Sequence, residues 1–294
     1  MSFSTFLNAK KKEVELPDFE GALIADTHAH LDMLEDPARA LARSGLAHLG
    51  LVVTVASVHE NARTICDSLE GWRQSARAML DAAGFVDIEV PEVRVIVGGH
   101  PQDASKMTDE GRALIREVAR DKRVVGIGET GLDYFYETSP RAVQKAQFAE
   151  ELALADELDI VACLHIRDAH DDALEVLRST GMPRAGAILH CYNMGPETLA
   201  PFLELGCMVS FAGPLTFRKA HDVREAAALV PHERLLTETD CPFMAPEPCR
   251  GQTNEPAYTA FTAGMLAEAT GLSLHECAEV TYSNARKLFG CDKR

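Results

Sequence analysis

The sequence is short of positive charge. Lys and Arg total 29 against 45 Asp and Glu, a formal net charge of −16 over 294 residues. Such a chain has no broad basic face with which to coat nucleic acid, and only locally placed positive charge would let it act on one. None of the eight cysteines is spaced C-x-x-C from another, which excludes zinc-ribbon and thioredoxin-like motifs. They read as reduced thiols of a cytoplasmic protein. No apolar stretch approaches the roughly 18 residues of a membrane span. Residues 1–20, with Lys10-Lys11-Lys12, lack the apolar core of a secretion signal. The P-loop pattern G-x-x-x-x-G-K-[ST] and the nucleophile elbow G-x-S-x-G are both absent. Repeats, low-complexity tracts and linkers are missing too. The expected organisation is a surface arm over 1–20 and one domain over 21–294. A monomer is expected, because no long exposed apolar stripe is evident.

What is present is a rhythm. Hydrophobic residues make up 46% of the chain, enough for a sizeable core. Eight short apolar runs recur: Ala22–Ala25, Leu49–Val55, Val93–Val97, Val124–Ile127, Ile160–Leu164, Ala187–Leu189, Cys207–Phe211 and Leu235–Leu236. Near-continuous apolarity suits strands of a parallel sheet buried on both faces. Helix-patterned segments separate them, among them Glu110–Arg120, Arg141–Leu158 behind Ser139-Pro140, Asp171–Ser179 and Glu255–Ala269. Ser273-Leu274-His275-Glu276 is a capping box opening a final helix. Trp72–Glu92, in the longest interval, reads as an extended helix and a connecting loop. Eight units of roughly 30 residues predict an α/β fold of the (β/α)8 TIM-barrel type, with a doubly wound sheet as the alternative.

Polar residues fall just past these runs. His28 and His30 follow the first, His100 the third, Glu129 the fourth, His165 the fifth, His190 the sixth and Asp240 the eighth. Five of the 11 histidines thus sit at strand ends, on the face where a barrel builds its active site. One such histidine alone would be an ordinary hydrogen-bonded core residue. Four histidines with Glu129 and Asp240 converging on one rim need a cation to offset them. Six ligands exceed one zinc site and point to two divalent ions: Zn or Mn by ligand type, with Mg less suited to imidazole. Glu129 is the natural bridge between them. The match of Gly126-Ile127-Gly128-Glu129-Thr130-Gly131 to G-x-G-x-x-G is rejected as a nucleotide cofactor site. An aromatic loop follows it instead of a helix, and Glu129 would face the phosphates.

Taken in order, "DTHAHLD", "GGHPQD", "GETGLDY", "CLHIRDA", "LHCYNM", "TETDCPF", "RGQTNEPAY" and "NARKLF" resemble the TatD family of metal-dependent deoxyribonucleases, among the amidohydrolase-like barrels. The resemblance spans Asp26 to Phe289. It implies hydrolysis of phosphodiester bonds, usually in DNA from the 3′ end, by a water that two metal ions activate. Carried onto this chain, it assigns His28, His30, Glu129 and Asp240 to one metal and Glu129, His165 and His190 to the other. Asp240 would also take the proton of the attacking water. His100, Arg167 and Arg250 are candidate phosphate partners, with surface salt bridges the competing role for the arginines. Asp26 would either orient a ligand histidine or simply satisfy backbone. Tyr134, Tyr136, Tyr192 and Phe243 are expected to pack in loops, with stacking on unpaired bases the alternative. The arm and the Trp72–Glu92 segment depart from the family's usual form. A hydrolase of an ester or amide, in a small molecule or aminoacylated RNA, stays open, because the same activated water attacks a carbonyl. A non-catalytic scaffold barrel would predict missing ligands, and all six are present.

Overall fold

The structure is a computed structural model that describes residues 3–293. Met1 and Ser2 of the expected arm, and Arg294 at the end of the expected domain, lie outside the described residues. Strands and helices alternate: β1 Ile24–Ala29, α1 Pro37–Leu46, β2 Leu49–Ser57, α2 Ile65–Ala82, β3 Glu92–Gly98, α3 Asp109–Val118, β4 Val124–Asp133 and α4 Arg141–Leu158. They continue with β5 Val161–Arg167, α5 His170–Thr180, β6 Ala187–Leu189, α6 Pro196–Glu204, β7 Met208–Phe211, α7 His221–Leu229, β8 Leu235–Thr237, α8 Thr259–Thr270 and α9 Leu274–Leu288. The strands pair in parallel in chain order from β1 to β8. A doubly wound sheet would reverse its order at a switch point, so the fold is the (β/α)8 barrel. Side chains such as Leu51, Val53, Ile96, Val161, Ile188 and Leu236 fill its interior.

The seam between β1 and β8 is polar. Beyond the isolated bridge of Ala29 with Cys241, the two edges are stitched by threonines. Thr27 Oγ1 donates to the Thr237 carbonyl at 3.0 Å, and Thr237 Oγ1 to the Ala25 carbonyl at 2.9 Å. Above them the Asp240 N–H donates to the His28 carbonyl at 2.9 Å, and the His30 N–H to the Cys241 carbonyl at 2.9 Å. Closing the barrel therefore sets Asp240 beside His28 and His30.

Strand β4 is longer than its apolar run. It continues past Ile127 through Glu129 to Asp133, and its register against β5 slips between Ile127 and Thr130. The glycines of the rejected nucleotide motif explain this. Gly128 and Gly131 have φ of 153° and 135°, a region that L side chains rarely adopt. A Cβ on Gly128 would lie 2.7 Å from the Cys163 carbonyl oxygen, and one on Gly131 2.1 Å from that of His165. These glycines let β4 press against β5, and the irregularity places Glu129 in the barrel mouth.

The long second interval holds α2, which starts earlier than the Trp72–Glu92 segment suggests. Arg77 ties the following loop down by donating to the carbonyls of Phe85 and Ile88. The capping box before α9 is formed by Ser273 and Glu276. Along the arm, Phe6 and Phe19 are buried. Arg43 of α1 gathers the arm: its guanidinium lies 4.2 Å from the Phe6 ring centroid, donates to the carbonyls of Phe3 and Thr5, and pairs with Glu255 at 2.7 Å. Isolated aromatics carry no periodicity, so these anchors were invisible in the arm's pattern. Replacing Arg43 by Ala strands the half-buried Glu255 carboxylate and frees the arm. The expected loss is about 3–5 kcal/mol, read as a lower urea midpoint.

Candidate metal centre

Side chains from β1, β4, β5 and the segments following β1, β3, β6 and β8 meet at the C-terminal mouth of the barrel. Glu129 is at their centre. Its Oε1 lies 3.0 Å from His165 Nδ1, 3.0 Å from His190 Nε2 and 3.8 Å from His100 Nε2. Its Oε2 lies 3.4 Å from His28 Nε2 and 3.5 Å from His30 Nε2. Asp240 Oδ1 closes the other side, 3.4 Å from His30 Nε2 and 3.8 Å from His28 Nε2. The His28 and His190 rings stack at 4.0 Å. Three groups of donor atoms each fall within 4.8 Å: His28, Glu129 and His190; His28, His30 and Asp240; and His100, Glu129 and His165.

Charge explains the convergence. Burial works to raise the Glu129 carboxyl, but His28, His190 and His165 outweigh it and hold that carboxyl well below its ordinary range. Burial likewise raises Asp240, and His30, His190 and His28 bring it below its usual value. In turn, burial would lower His190, while Glu238 and Glu129 lift it well above normal. Two buried carboxylates thus hold positive charge around them. A divalent cation supplies that charge without protonating the rings. The donor set fits one: His28 Nε2 is buried, makes no hydrogen bond among the described residues, and faces both carboxylates.

The far sides of the rings are fixed as well. Glu238 Oε1 lies 3.1 Å from His190 Nδ1, Asp133 Oδ2 3.3 Å from His165 Nε2, and Cys163 Sγ 3.3 Å from His28 Nδ1. Outer carboxylates of this kind orient ligand imidazoles and raise their basicity. Sequence reasoning missed Glu238 and Asp133. The one available signal was that each sits within four residues of a candidate ligand, in "TETD" and "GETGLD". Asp26 takes the backbone role: it accepts from the His28 N–H at 3.2 Å, and from Thr239 N–H at 3.0 Å and Oγ1 at 2.6 Å.

The remaining expected residues divide. His100 follows β3 and lines the mouth. Its Nδ1 accepts the Gln102 N–H at 3.2 Å, which leaves the ring proton on Nε2, toward Glu129. Burial pushes this ring down to about 4, so it is neutral at physiological pH. Arg167 also lines the cavity. Arg250 does not: its guanidinium lies over the Phe217 ring at 4.1 Å, and among the described residues it makes no salt bridge either. Tyr134 donates to Asp172 at 2.6 Å under the Arg141 guanidinium, and buried Tyr192 donates to the Gly195 carbonyl at 2.6 Å. Both are packing residues, whereas Tyr136 and Phe243 stand exposed at the mouth. The cavity measures about 620 Å³.

Comparison with known proteins shows the family and the fold. The family model described as TatD related DNase matches residues 25–290. YcfH of Escherichia coli (strain K12), described as an uncharacterized metal-dependent hydrolase, is 34% identical over 92% of this chain and 96% of its own length. The protein of Klebsiella pneumoniae (strain 342) named 3′-5′ ssDNA/RNA exonuclease TatD is 36% identical over 66% of this chain and 76% of its own. The crystal structure of YJJV, a TatD homologue from Escherichia coli K12, superposes with a TM-score of 0.76 at 26% identity, covering 91% of this chain and 98% of that one.

A buried carboxyl beneath the mouth gives a pH test. Glu151 of α4 accepts the Gly99 N–H at 2.9 Å and so holds the backbone that presents His100. Burial raises it from 4.5 to about 8. A carboxyl raised on folding contributes stability that is complete below about 4.5 and is lost as pH rises through about 8. Wild-type unfolding midpoints should therefore fall over that window. In Glu151→Gln the fall should be shallower, with Asp26, also raised to about 8 by burial, keeping part of it. Midpoints measured across that window check the slope.

Proposed function

This chain belongs to the TatD related DNase family and is a metal-dependent hydrolase, and from that premise we propose that it cleaves phosphodiester bonds of single-stranded DNA from the 3′ end. The observation that carries the substrate class is Arg167. It is a guanidinium without an ion pair among the described residues, in a cavity otherwise floored by imidazoles and carboxylates. Guanidinium groups match phosphate oxygens two at a time. The name of the Klebsiella pneumoniae relative supports the same reading and supplies the polarity. In a chain of net charge −16, this is the local positive charge that an anionic substrate requires.

His28, His30, Glu129 and Asp240, which approach one another within 3.8 Å in pairs, would hold one divalent ion. Glu129, whose Oε1 lies 3.0 Å from both His165 and His190, would hold a second with them, and Zn or Mn suits the imidazoles best. Bound there, the ions would acidify a water and offset the charge gathering on the phosphate oxygens. The protein's own groups do the rest. Arg167 seats the phosphate at the mouth. The neutral His100 donates its Nε2–H to a phosphate oxygen. Asp240, held as a carboxylate by its histidines, accepts the proton that the attacking water releases. A new P–O bond forms as the P–O3′ bond breaks; the freed 3′ oxygen takes a proton from solvent, and the last nucleotide leaves with its 5′ phosphate. The eight unbridged thiols support the cytoplasm as the compartment.

The test is incubation of the metal-loaded chain with 5′-labelled single-stranded DNA. Stepwise shortening should require Zn, Mn or Mg and vanish on chelation. No cleavage with any of the three would refute the reading. Asp240→Asn should lose on the order of 10²–10⁴ in rate, as a missing proton acceptor does. Glu238→Gln removes a ring partner without touching the substrate, so it should weaken metal affinity roughly 10–100-fold by calorimetric titration.

A further inference from the structure

The segment after β4 leaves two large aromatic rings in solvent. Phe135 and Tyr136 are each 55% exposed, and they meet edge to face at 4.9 Å. The Arg167 guanidinium lies 3.9 Å from the Phe135 ring centroid and 5.0 Å from that of Tyr136. Exposed rings with a cation on them mark a surface that lacks its partner, since such side chains normally contribute by being covered. Their placement is not loose. Asp133 Oδ1 accepts the N–H of Phe135 at 2.9 Å and of Tyr136 at 3.1 Å. The other oxygen of the same carboxylate meets His165 Nε2 at 3.3 Å and accepts from Gln102 Nε2 at 2.7 Å. One buried group therefore fixes both a ring of the donor cluster and the backbone of the aromatic pair. Tyr136, Arg167 and His165 line the same cavity.

We propose that Tyr136 and Arg167, with Phe135 behind them, form the seat of the unpaired nucleobase next to the scissile phosphate. The identity of the flat ligand rests on the phosphodiesterase reading; the seat itself rests on the geometry. A phenol ring and a guanidinium plane stack on any base without reading its edge, so the seat tolerates every sequence. A base held in a duplex stack cannot present its face this way, so the seat favours frayed or single-stranded ends. Arg167 serves two ends of one nucleotide: its plane meets the base and its N–H groups reach the phosphate. On the opposite wall Phe243, 51% exposed and 6.1 Å from the His30 ring, is the competing surface.

The test uses a single-stranded oligonucleotide ending in 3′ 2-aminopurine, whose fluorescence falls on stacking. It is added to the full metal-loaded chain carrying Asp240→Asn so that the probe survives. Quenching is expected on binding. Adding Tyr136→Ala should abolish the quenching and weaken binding roughly 5- to 150-fold, the range for one stacked base, while Tyr136→Phe keeps both. An oligonucleotide with an abasic 3′ sugar should bind weakly to either chain, with no further loss on Tyr136→Ala. Undiminished quenching in Tyr136→Ala, quenching lost in Phe243→Ala alone, or no quenching anywhere would each overturn the seat. The two readings separate cleanly. Tyr136-dependent quenching in a protein whose wild type cleaves no DNA supports the seat and removes the nuclease. Cleavage with quenching indifferent to Tyr136 removes the seat and keeps the nuclease.

Discussion

A single buried carboxylate organises the mouth of this barrel. Glu129 has five imidazole rings within 3.8 Å, drawn from four different strands or their ends. A charge in that position is costly to bury unless it is matched, and the histidines match it from every side. Four of the five rings are in turn held by something behind them: His190 by Glu238, His165 by Asp133, His28 by Cys163, and His100 by the Gln102 N–H. The result is a rigid set of donor atoms converging on one small volume, as a preorganised cation site must be.

Barrel closure and site assembly are the same event. The first strand supplies His28 and His30, and the segment after the last supplies Asp240. The two ends meet only because threonines and backbone groups stitch the seam where a regular ladder stops. Asp26 sits fully buried beneath, tying Thr239 to the backbone of His28. Polar groups that look like site residues in the chain thus serve the seam, and the seam serves the site. Chemistry placed on strand ends rather than on long loops is held to the tolerance that catalysis needs.

The sequence made the barrel and the six central residues readable for one physical reason. Parallel strands buried on both faces are continuously apolar, so the first polar residue past each run marks the mouth. That logic placed His28, His30, His165, His190 and Asp240 close to where they lie. It gave the right neighbourhood for Glu129 but not its setting, because the strand carries on through a glycine-bearing irregularity that no hydrophobic run can mark. Glu238 and Asp133 were overlooked because a carboxylate that orients a ring looks, in sequence, like any loop acid. Arg250 and Arg167 could not be told apart, since which arginine faces a cavity depends on loop folding and not on local pattern. Phe6 and Phe19 anchor the arm through tertiary contacts alone.

Central to the proposed function is that Glu129 would be shared by two cation sites, both depending on it. Metal titration of the full chain, followed by elemental analysis, tests this directly. The account predicts two divalent ions per wild-type chain, and loss of both from Glu129→Gln at the same free metal concentration. A Glu129→Gln chain that still bound two ions with undiminished affinity would contradict it.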